Sequence, residues 1–126
     1  MKEPISLHVL CRREGVFPKG VVKLEASKDK IIYDSVSWRV KEHDFEGLKG
    51  KPFFLHDAKN QLSYRSGVIL YLREEAIPDN DGEMRAIVKF EVTKDAPKPS
   101  KWPDTDNPNE YCRVNYDTPL DQLRQK

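Results

Sequence analysis

The sequence predicts a mainly β fold with short helices, a small barrel or sandwich of six or seven short strands. Two patterns carry this prediction. In several segments apolar residues alternate with polar ones, which is typical of a half-buried strand, and others are short apolar runs rich in aromatic and β-branched residues. The 126 residues have the length of one domain, which we assign to residues 1–126.

Five segments have one of these patterns and are predicted strands: residues 5–11, 36–40, 51–56, 67–73 and 84–93. The last has the most regular alternation, so its residues are expected to face opposite ways in turn. The expected buried set is Ala86, Val88, Phe90 and Val92, and the expected exposed set is Arg85, Lys89 and Glu91. We expect these strands to form a mostly antiparallel small barrel.

The remaining elements are weaker. Further strands are predicted at 21–25 and 111–116, and one or two helical turns at 43–48. Thr118 before Pro119 predicts a short C-terminal helix, since proline is favoured at the first helical position. Turn-forming residues predict a loop around Phe17, a hairpin tip at 78–82 and an irregular, proline-rich connection at 96–109.

Charge and cysteine content exclude several classes of protein. Lys and Arg total 22 against 21 Asp and Glu, a formal net charge of +1, so nucleic-acid binding by bulk positive charge is excluded and a local patch is required. The longest uncharged apolar run, 67–72, is far below the roughly 20 residues of a membrane helix, and we expect no membrane partner. Without a signal-peptide pattern or CxxC motif, Cys11 and Cys112 are expected to be reduced thiols in the cytoplasm.

Motifs for phosphate loops, nucleophile elbows and zinc are missing from the sequence, so no cofactor, metal site or catalytic residue is predicted. His8, His43 and His56 have no companion ligands at metal-binding spacing, and each is expected to lie on a strand surface or in the core. His56 and Asp57 are neighbours on a predicted strand and would face opposite ways, which argues against an acid–base dyad.

Aromatic residues next to positive charges are the remaining functional signal. Trp38 precedes Arg39 and Lys41, Tyr64 precedes Arg65, Lys101 precedes Trp102, and Tyr111 is close to Arg113. Aromatic faces stack on bases and guanidinium groups pair with phosphates, so this mixture is typical of a nucleic-acid site. The alternative is that most of these aromatic side chains fill the core.

Four segments resemble the PUA-like superfamily, above all its EVE and YTH branches. They are the N-terminal strand from Ile5, the Ser/Trp segment Asp34–Val40, the aromatic strand Lys51–Asp57, and the Ala-x-Val-x-Phe-x-Val strand 86–92, which runs into Thr93-Lys-Asp-Ala-Pro97. The sequence departs from the family at Lys51 and Pro52, where an acidic residue is expected. It also lacks a second pocket tryptophan in 73–84.

The resemblance implies a PUA-like β-barrel that holds a base, in some members a modified one, in an aromatic pocket. Trp38 matches the pocket tryptophan, and the other residues assigned to the pocket are Ser35, Ser37, His56, Asp57 and Tyr64. Phosphate contacts are assigned to Arg39, Lys41, Arg65 and Arg85. The alternative for Trp38 is a core position, because Val36 and Val40 would share its face.

Three functions are compatible with the sequence. The first is a non-catalytic domain that binds DNA or RNA and recognises a base, which can be modified. The second is a small hydrolase like those of the ASCH branch, acting on a modified pyrimidine nucleoside with a lysine, a threonine and a glutamate. Candidates for those three roles are Lys23, Glu25, Glu74 and Thr93. The third is an interaction module that accepts a peptide in a groove.

Overall fold

The computed structural model describes residues 4–11, 13–14, 17–18, 21–77, 83–102 and 112–116. Strands within these residues are β1 (Pro4–Leu10), β2 (Arg13–Glu14), β3 (Phe17–Pro18), β4 (Val21–Ala26), β5 (Lys30–Trp38), β6 (Pro52–His56), β7 (Arg65–Ile77), β8 (Glu83–Thr93) and β9 (Cys112–Tyr116). A 3-10 helix at Glu42–Asp44 continues into the short helix α1 (Phe45–Leu48).

Seven strands form one mixed sheet in the order β4-β5-β8-β7-β6-β1-β9, and β2 and β3 form a separate antiparallel pair. The pair β1–β6 is parallel, and the other pairs of the sheet are antiparallel. The prediction of a mainly β, mostly antiparallel fold is therefore confirmed. The strand order runs from edge strand β4 to edge strand β9, and the described residues contain no pairing that closes it into a barrel.

The core lies on one face of this sheet. Its buried residues are Leu7, Val9, Cys11, Tyr33, Val40, Leu48, Phe53, Leu55, Ile69, Leu72, Ala86, Val88 and Phe90. Val21 of β4 and Val114 of β9, which belong to opposite edges of the sheet, both pack against this cluster. The sheet must therefore bend around the core, because a flat sheet would keep its two edges far apart.

The strand predicted at 36–40 is observed as the longer β5, which ends at Trp38. A register shift between Ser35 and Trp38 interrupts the pairing with β8 and ends the strict alternation. As a result Val36 is exposed, whereas Val40, beyond the strand, is buried. The expectation that Val36, Trp38 and Val40 share one face was wrong.

In β8, Ala86, Val88 and Phe90 are buried as expected, but Val92 is only half-buried. The polar residues Arg85, Lys89 and Glu91, expected to be exposed, are also half-buried. Ile87 on their face is buried at 3% exposure. These differences arise because the strand is central, with neighbours on both sides that cover part of its outer face.

Other local predictions have mixed outcomes. The loop predicted around Phe17 contains the two-residue strands β2 and β3. Residues 43–48 are helical as predicted, and 96–102 are irregular. Ile77 pairs with Glu83, as a hairpin requires. The tip at 78–82, the C-terminal helix and residues 103–111 lie outside the described residues.

Part of the outer face of the sheet is covered too. After β8 the chain runs back over β6 and β7, where the Ser66 hydroxyl donates to the carbonyl of Pro97. The amide of Ser63 donates to the Ser100 carbonyl over 2.9 Å, and the amide of Ser100 donates to the Ser63 hydroxyl over 2.9 Å. These bonds hold Trp102, which is 7% exposed, against the outer side of β1 and β6.

Candidate nucleic-acid interface

The register divides the predicted site residues between two ends of the sheet. In the strand register, Trp38 of β5 lies opposite Ala86 of β8, and Ala86 lies opposite Glu74 of β7, so Trp38 is at the Glu74 end of the sheet. Arg65 lies at the other end of β7, next to Leu55 and the residues that follow it. Nine positions of strand between residues 65 and 74 correspond to roughly 30 Å. The structure thus groups Trp38 with Ser35, and separately groups His56, Asp57, Tyr64 and Arg65.

Trp38 is half-buried and packs against the core. Its indole Nε1–H donates to the hydroxyl of Ser35 over 2.9 Å, and Ser35 is completely buried. The hydroxyl is therefore already engaged in a bond that orients the indole. Ser37 belongs to β5, but its side chain lies outside the described part of the structure.

Asp57 is held by Arg13, a residue that the sequence did not single out. Its carboxylate accepts from the Arg13 amide at 2.9 Å and from the guanidinium Nε at 2.8 Å and a terminal nitrogen at 2.5 Å. These hydrogen bonds lower the pKa of Asp57 below its usual value. Asp57 is thus held as a charged partner of Arg13, which comes from a distant segment of the chain.

The aromatic rings at this end of the sheet are covered by arginines. The Arg13 guanidinium lies 4.4 Å from the ring centre of Tyr64, and that of Arg65 lies 5.6 Å from the ring centre of Tyr33. Tyr64 also donates its hydroxyl to the carbonyl of Cys11 over 2.5 Å. Arg13 therefore occupies a face of Tyr64 on which a base could otherwise stack.

His56 takes part in a buried chain of hydrogen bonds that includes a second histidine. Its Nδ1 lies 3.3 Å from the Gln61 carbonyl, which can only accept, so Nδ1 carries the proton. His56 Nε2 then accepts from His8 Nδ1 at 3.0 Å, and His8 Nε2 accepts from the Ser6 hydroxyl at 3.1 Å. Burial lowers the pKa of both histidines, that of His8 to about 3. The pair is a neutral structural element in the core, one of the two positions expected for these histidines, and His56 is engaged there rather than in an open pocket.

A cleft of about 280 Å³ lies between edge strand β9 and the segment that follows β5. Its polar lining residues are Arg39, Lys41, His43, Asp44, Arg113 and Tyr116. Its other lining residues are Val40, Cys112 and Val114. Two of the predicted phosphate-binding residues, Arg39 and Lys41, therefore meet here with Arg113, which comes from a distant part of the chain.

Arg39 at the cleft shares a carboxylate partner with Arg85. The Arg39 guanidinium, with its side chain 74% exposed, lies 3.3 Å from a carboxylate oxygen of Glu83. Arg85 donates to the same carboxylate over 3.2 Å, and this bond lowers the pKa of Glu83. The Glu83 carboxylate thus contacts both Arg39 and Arg85, two of the predicted phosphate-binding residues.

The floor of the cleft carries a carboxylate. Asp44 is 4% exposed and accepts a 2.6 Å hydrogen bond from the hydroxyl of Tyr116. Burial and this bond raise the pKa of Tyr116 to about 12, so its hydroxyl remains a donor at neutral pH. His43 Nε2 lies 3.5 Å from the other oxygen of Asp44. Asp44 and Tyr116 had no local sequence signal, because their partnership depends on the docking of β9.

Comparison with known proteins gives no match. No family model, curated protein or solved structure is significantly similar to this chain. The site must therefore be interpreted from its own geometry.

The residues offered for a hydrolase are spread over strands β4, β7 and β8. Lys23 and Glu25 lie on edge strand β4, Thr93 pairs with Lys30, and Glu74 lies at the opposite end of β7 and β8. The described residues also hold no group of three or more metal-binding side chains.

Among the described residues, no helix has the length and apolar character needed to cross a bilayer.

Proposed function

We propose that this chain is a PUA-like domain that binds nucleic acid through the cleft beside β9. The observation that carries the proposal is the convergence of Arg39, Lys41 and Arg113 on one concave surface. The net charge of +1 gives no general attraction for polyanions, so a local group of cations is the feature that such binding requires.

The size of the cleft indicates what enters it. At about 280 Å³ it is near the lower limit of small-molecule pockets, roughly 300 Å³. One nucleotide unit fits such a volume and a duplex does not. We therefore propose that the domain binds a single strand, or a nucleotide turned out of a duplex, with its phosphates at the cations. A modified base held by Trp38 stays a prediction, as does closure of the sheet into the barrel of the PUA-like superfamily.

The test is the salt dependence of binding. Labelled single-stranded DNA and RNA are titrated with the protein over a series of salt concentrations and followed by fluorescence anisotropy. Arg39→Ala, Lys41→Ala and Arg113→Ala should each weaken binding and reduce the slope of log affinity against log salt by about 0.7. Lys28→Ala removes an exposed charge from the turn between β4 and β5 and serves as the matched control.

Glu83 provides a variant with the opposite sign. Glu83→Gln removes the carboxylate that competes with phosphate for Arg39 and Arg85, so it should strengthen binding of both nucleic acids. The proposal fails if no oligonucleotide binds at low salt. It also fails if Lys28→Ala lowers affinity as much as the cleft variants do.

Peptide binding is the second candidate, and one observation favours it. Within the described residues β4 pairs with β5 alone, and its Val22 and Leu24 are 52% and 44% exposed. An unpaired strand edge with exposed apolar side chains can accept an extended peptide as an additional strand. The double substitution Val22→Lys and Leu24→Lys should abolish peptide binding and leave the affinity for nucleic acid unchanged.

A further inference from the structure

The cleft beside β9 combines several donors with one buried charged acceptor. The side chains of Arg39, Lys41 and Arg113 can only donate hydrogen bonds. Among the charged side chains that line the described part of the cleft, Asp44 is the single carboxylate. A ligand that fills the cleft therefore meets both cations and a carboxylate.

Asp44 has acceptor capacity left over. It stands at the N-cap of α1, yet its side chain makes no capping hydrogen bond. Each carboxylate oxygen can accept about two hydrogen bonds. One oxygen accepts from Tyr116 at 2.6 Å, and His43 Nε2 lies 3.5 Å from the other. A carboxylate on a residue that is 4% exposed gains from a ligand that brings donors to it, because hydrogen bonds to a charged acceptor are strong.

Tyr116 fixes the direction in which the carboxylate can accept. Its hydroxyl stays protonated and holds one oxygen of Asp44 from the β9 side. The remaining lone pairs are thus pre-oriented before a ligand arrives. Pre-orientation matters because two parallel hydrogen bonds to one carboxylate require two donors side by side in the ligand.

We infer that the cleft selects guanine, whose N1–H and N2–H₂ groups pair with Asp44 while the cations hold its phosphate; this inference rests on the proposed function. Guanine is the standard base whose Watson–Crick edge offers two adjacent donors. Adenine and cytosine place a ring acceptor next to their amino group, and uracil and thymine have one N–H between two carbonyls. These acceptors would face the Asp44 carboxylate and be repelled by it.

The direct test uses mononucleotides. Guanosine, inosine and adenosine 5′-monophosphates are titrated into the wild-type protein by isothermal titration calorimetry. Inosine lacks only the 2-amino group of guanine, so it should bind roughly 10-fold more weakly if that group donates to a carboxylate. Adenosine monophosphate should bind more weakly again, since it presents an acceptor in place of N1–H.

Asp44→Asn tests the partner. The amide keeps the size of the side chain and replaces one acceptor with a donor, so the ratio of guanosine to inosine affinity should fall to about one. Inosine monophosphate keeps the N1–H that pairs with Asp44, so its affinity should also fall, but by less than that of guanosine monophosphate. A general loss of structure would lower all three affinities together and leave their ratio in place, and circular dichroism checks the fold. Lys28→Ala is the control and should keep the wild-type ratios.

The outcomes separate this inference from the proposed function. If the wild-type protein binds oligonucleotides with the predicted salt slope but binds guanosine and inosine monophosphates equally, guanine selection is overturned and the proposed function stands. If Asp44→Asn folds and retains the wild-type ratio, guanine selection is overturned as well. If neither oligonucleotides nor mononucleotides bind, both fail. Should Asp44→Asn not fold, the comparison of the three nucleotides on the wild type decides alone.

Discussion

His8 Nδ1 lies 3.0 Å from His56 Nε2, and this bond joins two imidazoles of which one is 1% exposed and the other completely buried. Between the Ser6 hydroxyl and the Gln61 carbonyl, each ring nitrogen of the pair has one partner. An additional proton would place two donors against each other and a charge inside the protein. The pair therefore ties the stability of the fold to pH.

We predict that acid destabilises the protein through these histidines. An unfolded histidine has a pKa of 6.5, whereas burial lowers the pKa of folded His8 to about 3. Between those values the unfolded chain binds a proton that the folded chain excludes. The stabilisation is complete above pH 6.5 and is lost as the pH falls toward 3. Each histidine can contribute a slope of up to about 1.4 kcal/mol per pH unit to the free energy of unfolding.

Urea denaturation at a series of pH values measures this slope. His8→Asn should reduce it, because the variant has one fewer histidine to protonate on unfolding. Lys28→Ala, which leaves His8 and His56 in place, is the control and should keep the wild-type slope. A free energy of unfolding that does not change with pH in the wild type over this range would contradict the prediction.

Two substitutions of Trp102 separate the contribution of its packing from that of its indole N–H. Trp102 is 7% exposed and its Nε1 has no hydrogen-bond partner among the described residues. Trp102→Phe removes this unpaired donor and keeps most of the packing on His8 and His56, so the free energy of unfolding should change by less than about 1 kcal/mol. Trp102→Ala should cost about 3–5 kcal/mol. Both losses are measured by urea denaturation, and a cost of several kcal/mol for Trp102→Phe would contradict the prediction.

Two glycines should respond differently to alanine. A Cβ atom at Gly67 would lie 2.5 Å from the Glu91 carbonyl oxygen and 2.8 Å from the Phe90 ring, so strands β7 and β8 would have to separate. Gly67→Ala should cost about 3 kcal/mol. At Gly50 a Cβ meets nothing within 4 Å, but its φ of +79° is unfavourable for alanine, so Gly50→Ala should cost roughly 1 kcal/mol. Thermal unfolding of both variants gives the ranking, and the reverse order would contradict it.

The two thiols should differ in reactivity. Neither Cys11 nor Cys112 forms a disulfide in the structure, in agreement with the predicted thiols. Cys11 is 2% exposed and burial raises its pKa, so it should react slowly with iodoacetamide. Cys112 lines the cleft and should react first. Bound single-stranded nucleic acid should slow the modification of Cys112, as followed by peptide mass spectrometry, and equal rates with and without it would argue against the cleft as the binding site.

The regular parts of the fold were predictable because their signal is local. The alternation of Ala86, Val88 and Phe90 is enough to place β8 and its buried face. Val36 was misplaced because a register shift in β5 changes the alternation, and such a shift depends on the partner strand rather than on the sequence of β5 itself. The pairing of β5 with β8 therefore decides which way Val36 faces.

The candidate site was predictable only in part, because the residues that line the cleft come from segments far apart in the sequence. Arg39 and Lys41 stand beside Trp38 and could be identified as a basic segment. Asp44, Arg113 and Tyr116 complete the cleft, but they meet only when β9 docks beside β1. The pairing of Arg13 with Asp57 is likewise a contact between distant segments, for which neither residue carries a pattern.

The position of β1 has a consequence for the order in which the protein folds. β1 is made first, yet its two partners in the sheet are β6 and β9, which come from the middle and the end of the described chain. The hairpin of β7 and β8 needs only local contacts and can form early, whereas β1 must wait for strands far away in sequence. We expect β9 to add last during synthesis on the ribosome, and the cleft to exist only from that moment, because β9 forms one of its walls. A nascent chain in which β9 has not yet paired with β1 would then hold most of its core but lack the cleft.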